Sequence, residues 1–166
     1  TGDHWSEIDF LGHTTNLVVG TNGSGKSTML DALTFSLFNK PFRKINKSQL
    51  INATNEKDCV VEVEFTVNNK DYLVRRSIKP NKFDIEVNGT LLHKESDDRL
   101  NQKILEENIL KVNYKSFTQI VILGSSSFVP FMQLSTSNRR DVIEDLLDIR
   151  IFSAMNLIIK EKIRKQ

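Results

Sequence analysis

The sequence contains a single cysteine, Cys59, so an internal disulfide is excluded. With only His4, His13 and His93 beside it, a zinc site has little to build from. A reducing, cytoplasmic setting is therefore expected. No apolar run of about 18 residues is present, and no membrane is expected among the partners. The start, Thr1-Gly2-Asp3-His4-Trp5, has none of the charge-then-apolar order of a secretory signal. Charge of one sign is also scarce: the net charge is +2 over 166 residues, so nucleic-acid contact has to come from a local patch. The sequence does not open on Met and its basic end shows no helix stop, which suggests a segment of a longer protein. A hydrophobic content of 39% still supports one compact core.

The most informative stretch is Gly20-Thr21-Asn22-Gly23-Ser24-Gly25-Lys26-Ser27-Thr28, which fits the P-loop pattern G-x-x-x-x-G-K-[ST]. Its context agrees. Residues 16–19, with apolar Leu17-Val18-Val19, read as a buried strand. Residues 27–38 read as a helix, with Met29, Leu30, Leu33, Leu37 and Phe38 at three- and four-residue spacing. In such a loop the backbone N–H groups of residues 22–26 turn into one concavity and the helix N-terminus adds partial positive charge, which makes a polyphosphate cradle. Lys26 is the candidate catalytic residue, reaching the β- and γ-phosphates. The Ser27 hydroxyl is placed to ligate Mg²⁺, and Thr28 to donate to the α-phosphate. All nine residues are candidate ATP contacts. The alternative, a Gly/Ser-rich turn that binds nothing, is opposed by the flanking strand and helix patterns.

Elsewhere, residues 7–10 alternate as a short strand beside the one feeding the loop. Lys40, Arg43, Lys44 and Lys47 form a basic cluster after the helix, either a solvated loop or a phosphate or DNA contact. Between residues 59 and 93, Val61, Val63, Phe65 and Val67 alternate with polar residues, and the Asn68-Asn69 turn predicts a hairpin pairing Val67 with Lys70, Phe65 with Tyr72, Val63 with Val74 and Glu62 with Arg75. A turn at residues 79–82, bearing Lys79 and Lys82, then brings Glu86 opposite Arg75 and Ile85 opposite Arg76. Arg76, also facing Val61 on the apolar side, requires a partner from elsewhere. Asn88-Gly89 makes a further tight turn. Residues 96–108 read as a surface helix with Leu100, Ile104 and Leu105 buried, and residues 120–123 as a buried strand ending in a loop at 124–127. Ser135-Thr136-Ser137 caps a long helix running to the end. Its stripe of Val142, Leu146, Ile149, Phe152, Met155, Ile159 and Ile163 fits either an ordinary packed helix or the root of a coiled coil.

This order of parts resembles the N-terminal ATPase lobe of the SbcC/Rad-fifty family, SMC-like relatives of the ABC ATPases. The resemblance rests on Asn22, Gly23, Gly25, Lys26 and Ser27, the continuation Asp31-Ala32-Leu33, Phe117, residues 128–132, and the segment from Arg139-Arg140 to Leu147. It implies an α/β P-loop NTPase lobe of ABC/SMC type over residues 1–137, with an antiparallel β insert at 59–93, and a coiled-coil start at 138–166. It further implies an ATPase using ATP and Mg²⁺, which forms a homodimer through ATP, acts on DNA in double-strand-break repair and regulates a partner nuclease of the SbcD/Mre-eleven kind. Where cellular members have a Mg²⁺-sensing glutamine, this sequence has Ser125, the second candidate metal contact, with Gln119 six residues earlier. The signature, Walker B and switch residues of the family have no counterpart here, so the implied site is half of an ATPase. An SMC-type chromosome-organising protein is the alternative; a transporter ATPase would lack the long final helix.

Overall fold

The computed structural model describes residues 5–53, 56, 58–92, 97–122, 131–147 and 149–164. The chain divides into two compact units, Thr1–Asp98 and Arg99–Gln166.

In the first unit, helix α1 (Lys26–Phe38) packs on an antiparallel sheet of β1 (Cys59–Val67), β2 (Lys70–Ile78), β3 (Lys82–Val87) and β4 (Thr90–Leu91), in the order β1-β2-β3-β4. The β1–β2 register is the expected one: Val67 pairs with Lys70, Phe65 with Tyr72, Val63 with Val74 and Glu62 with Arg75. Asn68 and Asn69 both take positive φ, 52° and 60°, the conformation whose twist matches a two-residue hairpin. Phe65 and Tyr72 stack with ring centroids 5.5 Å apart. The β2–β3 register differs from expectation by two residues, for Arg75 pairs with Asp84 and Arg76 with Phe83. The cause is the connection: Ser77 pairs with Lys82, and the Ser77 hydroxyl donates to Pro80 O at 2.7 Å, so Ile78 belongs to the turn on this side of β2. Arg75 still bridges Glu62 and Glu86, the latter diagonally at 3.4 Å.

The core beneath the sheet comprises Phe35, Leu37, Phe38, Val74, Phe83 and Ile85. The last turns of α1 are buried on polar sides as well, at Asp31, Thr34 and Ser36.

Residues 7–10 and 16–19 form no strand, contrary to expectation. Leu17 is 84% exposed and Val19 80% exposed. A strand is stabilised by its cross-strand partners, and among the described residues the four-stranded sheet does not extend to these segments.

The second unit is helical. Its α2 (Asp98–Ile104) continues as a π-helix (Leu105–Leu110), followed by α3 (Tyr114–Ile120), α4 (Thr136–Leu146) and α5 (Arg150–Arg164). The buried face of the first helix is Asn101, Leu105 and Ile109, while Leu100 is exposed, so the expected stripe is displaced. The expected strand is also corrected over residues 120–122, where Ile120 ends α3 and Val121 is exposed; residue 123 and the expected loop at 124–127 lie outside the described residues. Helix wins here because Asn113 caps α3, its side chain accepting from Ser116 N–H at 2.9 Å. Both the Asn113 amide and the Ser116 hydroxyl in turn donate to buried Asp145 of α4.

The single final helix is two helices. The N–H of Ile149 bonds to Glu144 O at 3.0 Å, the six-residue closure of a Schellman-type helix end. The last turn of α4 carries Glu144 and Asp145 and no basic residue, which opposes the helix dipole and weakens continuation.

Candidate nucleotide site

The P-loop is built by backbone conformations that side chains resist. Gly23 has φ 87° and Gly25 φ 93°, both in the left-handed region. Between them the chain turns, with Ser24 N–H donating to Thr21 O at 3.2 Å. Gly25 is also the N-cap residue of α1, and its carbonyl accepts from Thr28 N–H at 2.9 Å and Met29 N–H at 3.3 Å. A Cβ on Gly20 would lie 2.5 Å from the Ser24 hydroxyl, so the loop closes tightly at its base.

Lys26 folds back over this loop, its Nζ donating to Gly20 O at 2.6 Å and Thr21 O at 2.8 Å. Two carbonyl oxygens satisfy two of its three donors and hold the charge at the loop rim. The first turn of α1 has no side-chain cap and no acidic residue, so neither competes with an anion for its N–H groups or its positive end. Ser27 is exposed in that turn and Thr28 half-buried. This donor set fits a polyphosphate. Ser27 offers one hydroxyl oxygen to a hard cation such as Mg²⁺, whose remaining ligands would be phosphate oxygens and water. Ser125, the other candidate metal contact, lies outside the described residues. Gln119 stands on α3 in the second unit, and among the described residues its buried Oε1 has no hydrogen-bond partner.

The basic cluster after α1 is partly committed to structure. The Arg43 backbone N–H reaches Asp31 Oδ1 at 2.9 Å, while its Nε and Nη2 reach Oδ2 at 2.6 and 2.5 Å. Lys47 donates to Asn39 Oδ1 at 2.9 Å. Burial first, then the charges of Arg76 and Lys40, push the Lys47 ammonium below its ordinary range. Lys44 is exposed, as are Lys79 and Lys82 at the β2–β3 turn.

Sequence reasoning marked Asp31 and Arg43 separately but did not pair them, and it passed over Ser36. The Asn113 cap had a signal, an Asn three residues before Ser116, but the apolar run at 120–123 outweighed it.

Glycine loop, inward lysine and bare helix N-terminus together define a P-loop NTPase domain. Comparison with known proteins agrees, an AAA domain model matching residues 3–166. The chain is 45% identical over 149 residues to exonuclease subunit 2 of Escherichia phage RB69, covering 90% of this chain and 26% of that protein. It is 46% identical over 144 residues to exonuclease subunit 2 of Enterobacteria phage T4, covering 87% and 26%. With the SbcC component of the nuclease SbcCD of Staphylococcus aureus (strain MRSA252) the identity is 31% over 178 residues, covering 96% and 18%. The chain belongs to the AAA domain family, within its SbcC/Rad-fifty-like group. It spans about a quarter of the length of the phage relatives. Among the described residues, no helix is long and apolar enough to cross a membrane.

Proposed function

We propose that this chain is the ATP-binding half of a DNA double-strand-break repair and recombination ATPase that regulates a partner nuclease. The observation that carries this reading is the P-loop, with Lys26 held by the Gly20 and Thr21 carbonyls above an uncapped helix start. Binding exchanges those two carbonyls for the β- and γ-phosphates, moving the Lys26 charge little while the N–H groups from Asn22 to Thr28 close on the phosphate oxygens. Residues 20–28 hold ATP and Ser27 contacts Mg²⁺, which when bound would neutralise charge between the phosphates.

Hydrolysis requires a second half-site, so ATP joins two copies as a homodimer and its loss releases them. The lobe covers residues 1–137 and the helical end, residues 138–166, begins the coiled coil. Exposed Met155, Ile159 and Ile163 on α5 support that assignment, although the closure at Ile149 divides its seam. The nuclease and DNA are the partners, DNA being met through phosphate contacts at Lys79 and Lys82, and the setting is the cytoplasm.

The test uses the full-length protein with its nuclease. ATP should be bound and slowly hydrolysed, and nuclease activity on linear duplex should change with ATP. Nuclease activity identical with and without ATP would sink the regulatory reading. Absence of ATP binding would sink the nucleotide site itself.

A further inference from the structure

The chemistry of the loop is confined to the first turn of α1, yet the helix is anchored at its other end. Lys26 and Ser27 open the helix, and their half is only partly buried; Asp31, Thr34, Phe35, Ser36, Leu37 and Phe38 are buried. A helix of 13 residues is about 20 Å long and transmits displacement along its axis, so whatever fixes its last turn fixes Lys26.

That last turn is held by Ser36 and Arg76. The Ser36 hydroxyl donates to Val74 O at 3.0 Å, and Arg76 Nε donates back to Ser36 O at 2.9 Å. Val74 and Arg76 stand two residues apart on β2 and share one face of the sheet. The guanidinium carbon lies 3.6 Å from the centroid of Phe83, its cross-strand partner, and Arg76 is only 5% exposed. Ser36 O is one of the final four carbonyls that a helix leaves without an internal partner, where a cation also meets the negative end of the dipole.

Apolar packing tolerates small slips of a helix, but this paired contact does not. Sliding α1 by one residue would shift Ser36 by about 1.5 Å and turn it by about 100°, breaking both bonds. An apolar side chain of similar volume would fill the same space without desolvating a charge, so stability alone does not call for arginine.

We infer that Arg76 is a positioning residue of the nucleotide site, setting the axial and rotational register of α1 and thereby the placement of Lys26 and Ser27. The inference rests on the ATPase reading above. A misplacement of about 1 Å at reacting groups lowers turnover by up to about a hundredfold.

The experiment compares Arg76→Met, Arg76→Lys and Ser36→Ala in the full-length protein. ATP affinity, kcat and KM are measured well below each variant's melting midpoint, with that midpoint recorded separately. Positioning predicts that folded Arg76→Met loses about tenfold or more in kcat/KM. Arg76→Lys, which keeps a donor, should recover part of it, and Ser36→Ala should lose several-fold. A purely packing role would lower the midpoint of Arg76→Met and leave ATP affinity and kcat/KM of the folded protein unchanged. That result overturns the inference while leaving the ATPase reading intact. Should Arg76→Met fail to fold, unchanged kcat/KM in both Arg76→Lys and Ser36→Ala overturns it equally. Wild-type protein that neither binds nor hydrolyses ATP would overturn both readings together.

Discussion

Truncating Arg43 should reveal how much of the first unit rests on one buried carboxylate. Asp31 has no exposed side-chain surface, and among the described residues it accepts three contacts, all from Arg43: one from its backbone N–H and two from the guanidinium. Arg43→Ala removes the two charge-assisted bonds and leaves the backbone one. Stranding one member of a fully buried pair costs about 3–5 kcal/mol. Here the Arg43 side chain is 43% exposed, so water can follow the truncation toward Oδ2, and the expected cost falls to about 2–3 kcal/mol. Asp31→Asn keeps the shape but loses the charge. The double variant should therefore be more stable than the sum of the singles predicts, by about 1–3 kcal/mol of coupling. Urea unfolding, followed by a probe in the first unit, measures this directly. A slope of about 1–3 kcal/mol per molar translates the single-variant loss into a midpoint shift on the order of 1 M. If Arg43→Ala unfolds within about 0.5 kcal/mol of the parent and the cycle is additive, the pair is a surface ornament and Arg43 becomes available again as a phosphate contact.

Lys26→Ala should abolish ATP hydrolysis in the full-length protein with the fold intact by circular dichroism; activity within about threefold of wild type would refute its role at the phosphates. Gly23 has φ 87° and open space around its missing Cβ, so Gly23→Ala adds strain alone, about 1–2 kcal/mol, and Gly23→Asn should melt higher than Gly23→Ala because Asn tolerates that conformation. Burial pushes the Cys59 thiol up; iodoacetamide should alkylate it more slowly at pH 8 than in urea. The unfolded thiol ionises first, so the Cys59 contribution falls as pH rises past the free value of about 8.5, and a Cys59→Ser variant should lose that pH dependence. Neutralising Lys79 and Lys82 together should weaken duplex binding alike across sequences and flatten its salt dependence by about 0.9 per lost contact in the log–log slope, and an unchanged slope would remove this turn from the DNA surface.

Legibility from sequence followed how local each cause was. The P-loop spans nine consecutive residues, and its left-handed glycines are written directly in the pattern. The β1–β2 register was legible because two asparagines leave a single way to count across the turn. Four residues separate Ser77 from Lys82, and nothing in Ile78-Lys79-Pro80-Asn81 fixes the count, so β3 shifted by two. The apolar run at 120–123 satisfies a strand pattern equally well until Asp145, 29 residues beyond Ser116, secures the cap of α3 through that hydroxyl. Leu17-Val18-Val19 carries the strand signal, but pairing depends on a neighbour that a local pattern cannot supply.

The polar residues of α1 show why the site's support was harder to see than its chemistry. Thr34 satisfies itself within the helix, its hydroxyl donating to Leu30 O at 3.0 Å, and needs nothing more. Ser36 has the same option but instead donates to Val74 O, thirty-eight residues away, and offers its carbonyl to Arg76. Asp31 has no local option, since a carboxylate in a helix interior finds no free N–H, and it takes Arg43 twelve residues on. Apolar spacing places all three among residues facing the sheet or the following loop, where each reads as a flaw in the stripe. Each flaw is instead a demand for a donor or acceptor. The arginine stranded on the apolar face of β2 states the complementary demand, so the two anomalies, unexplained singly, resolve as one contact between α1 and β2.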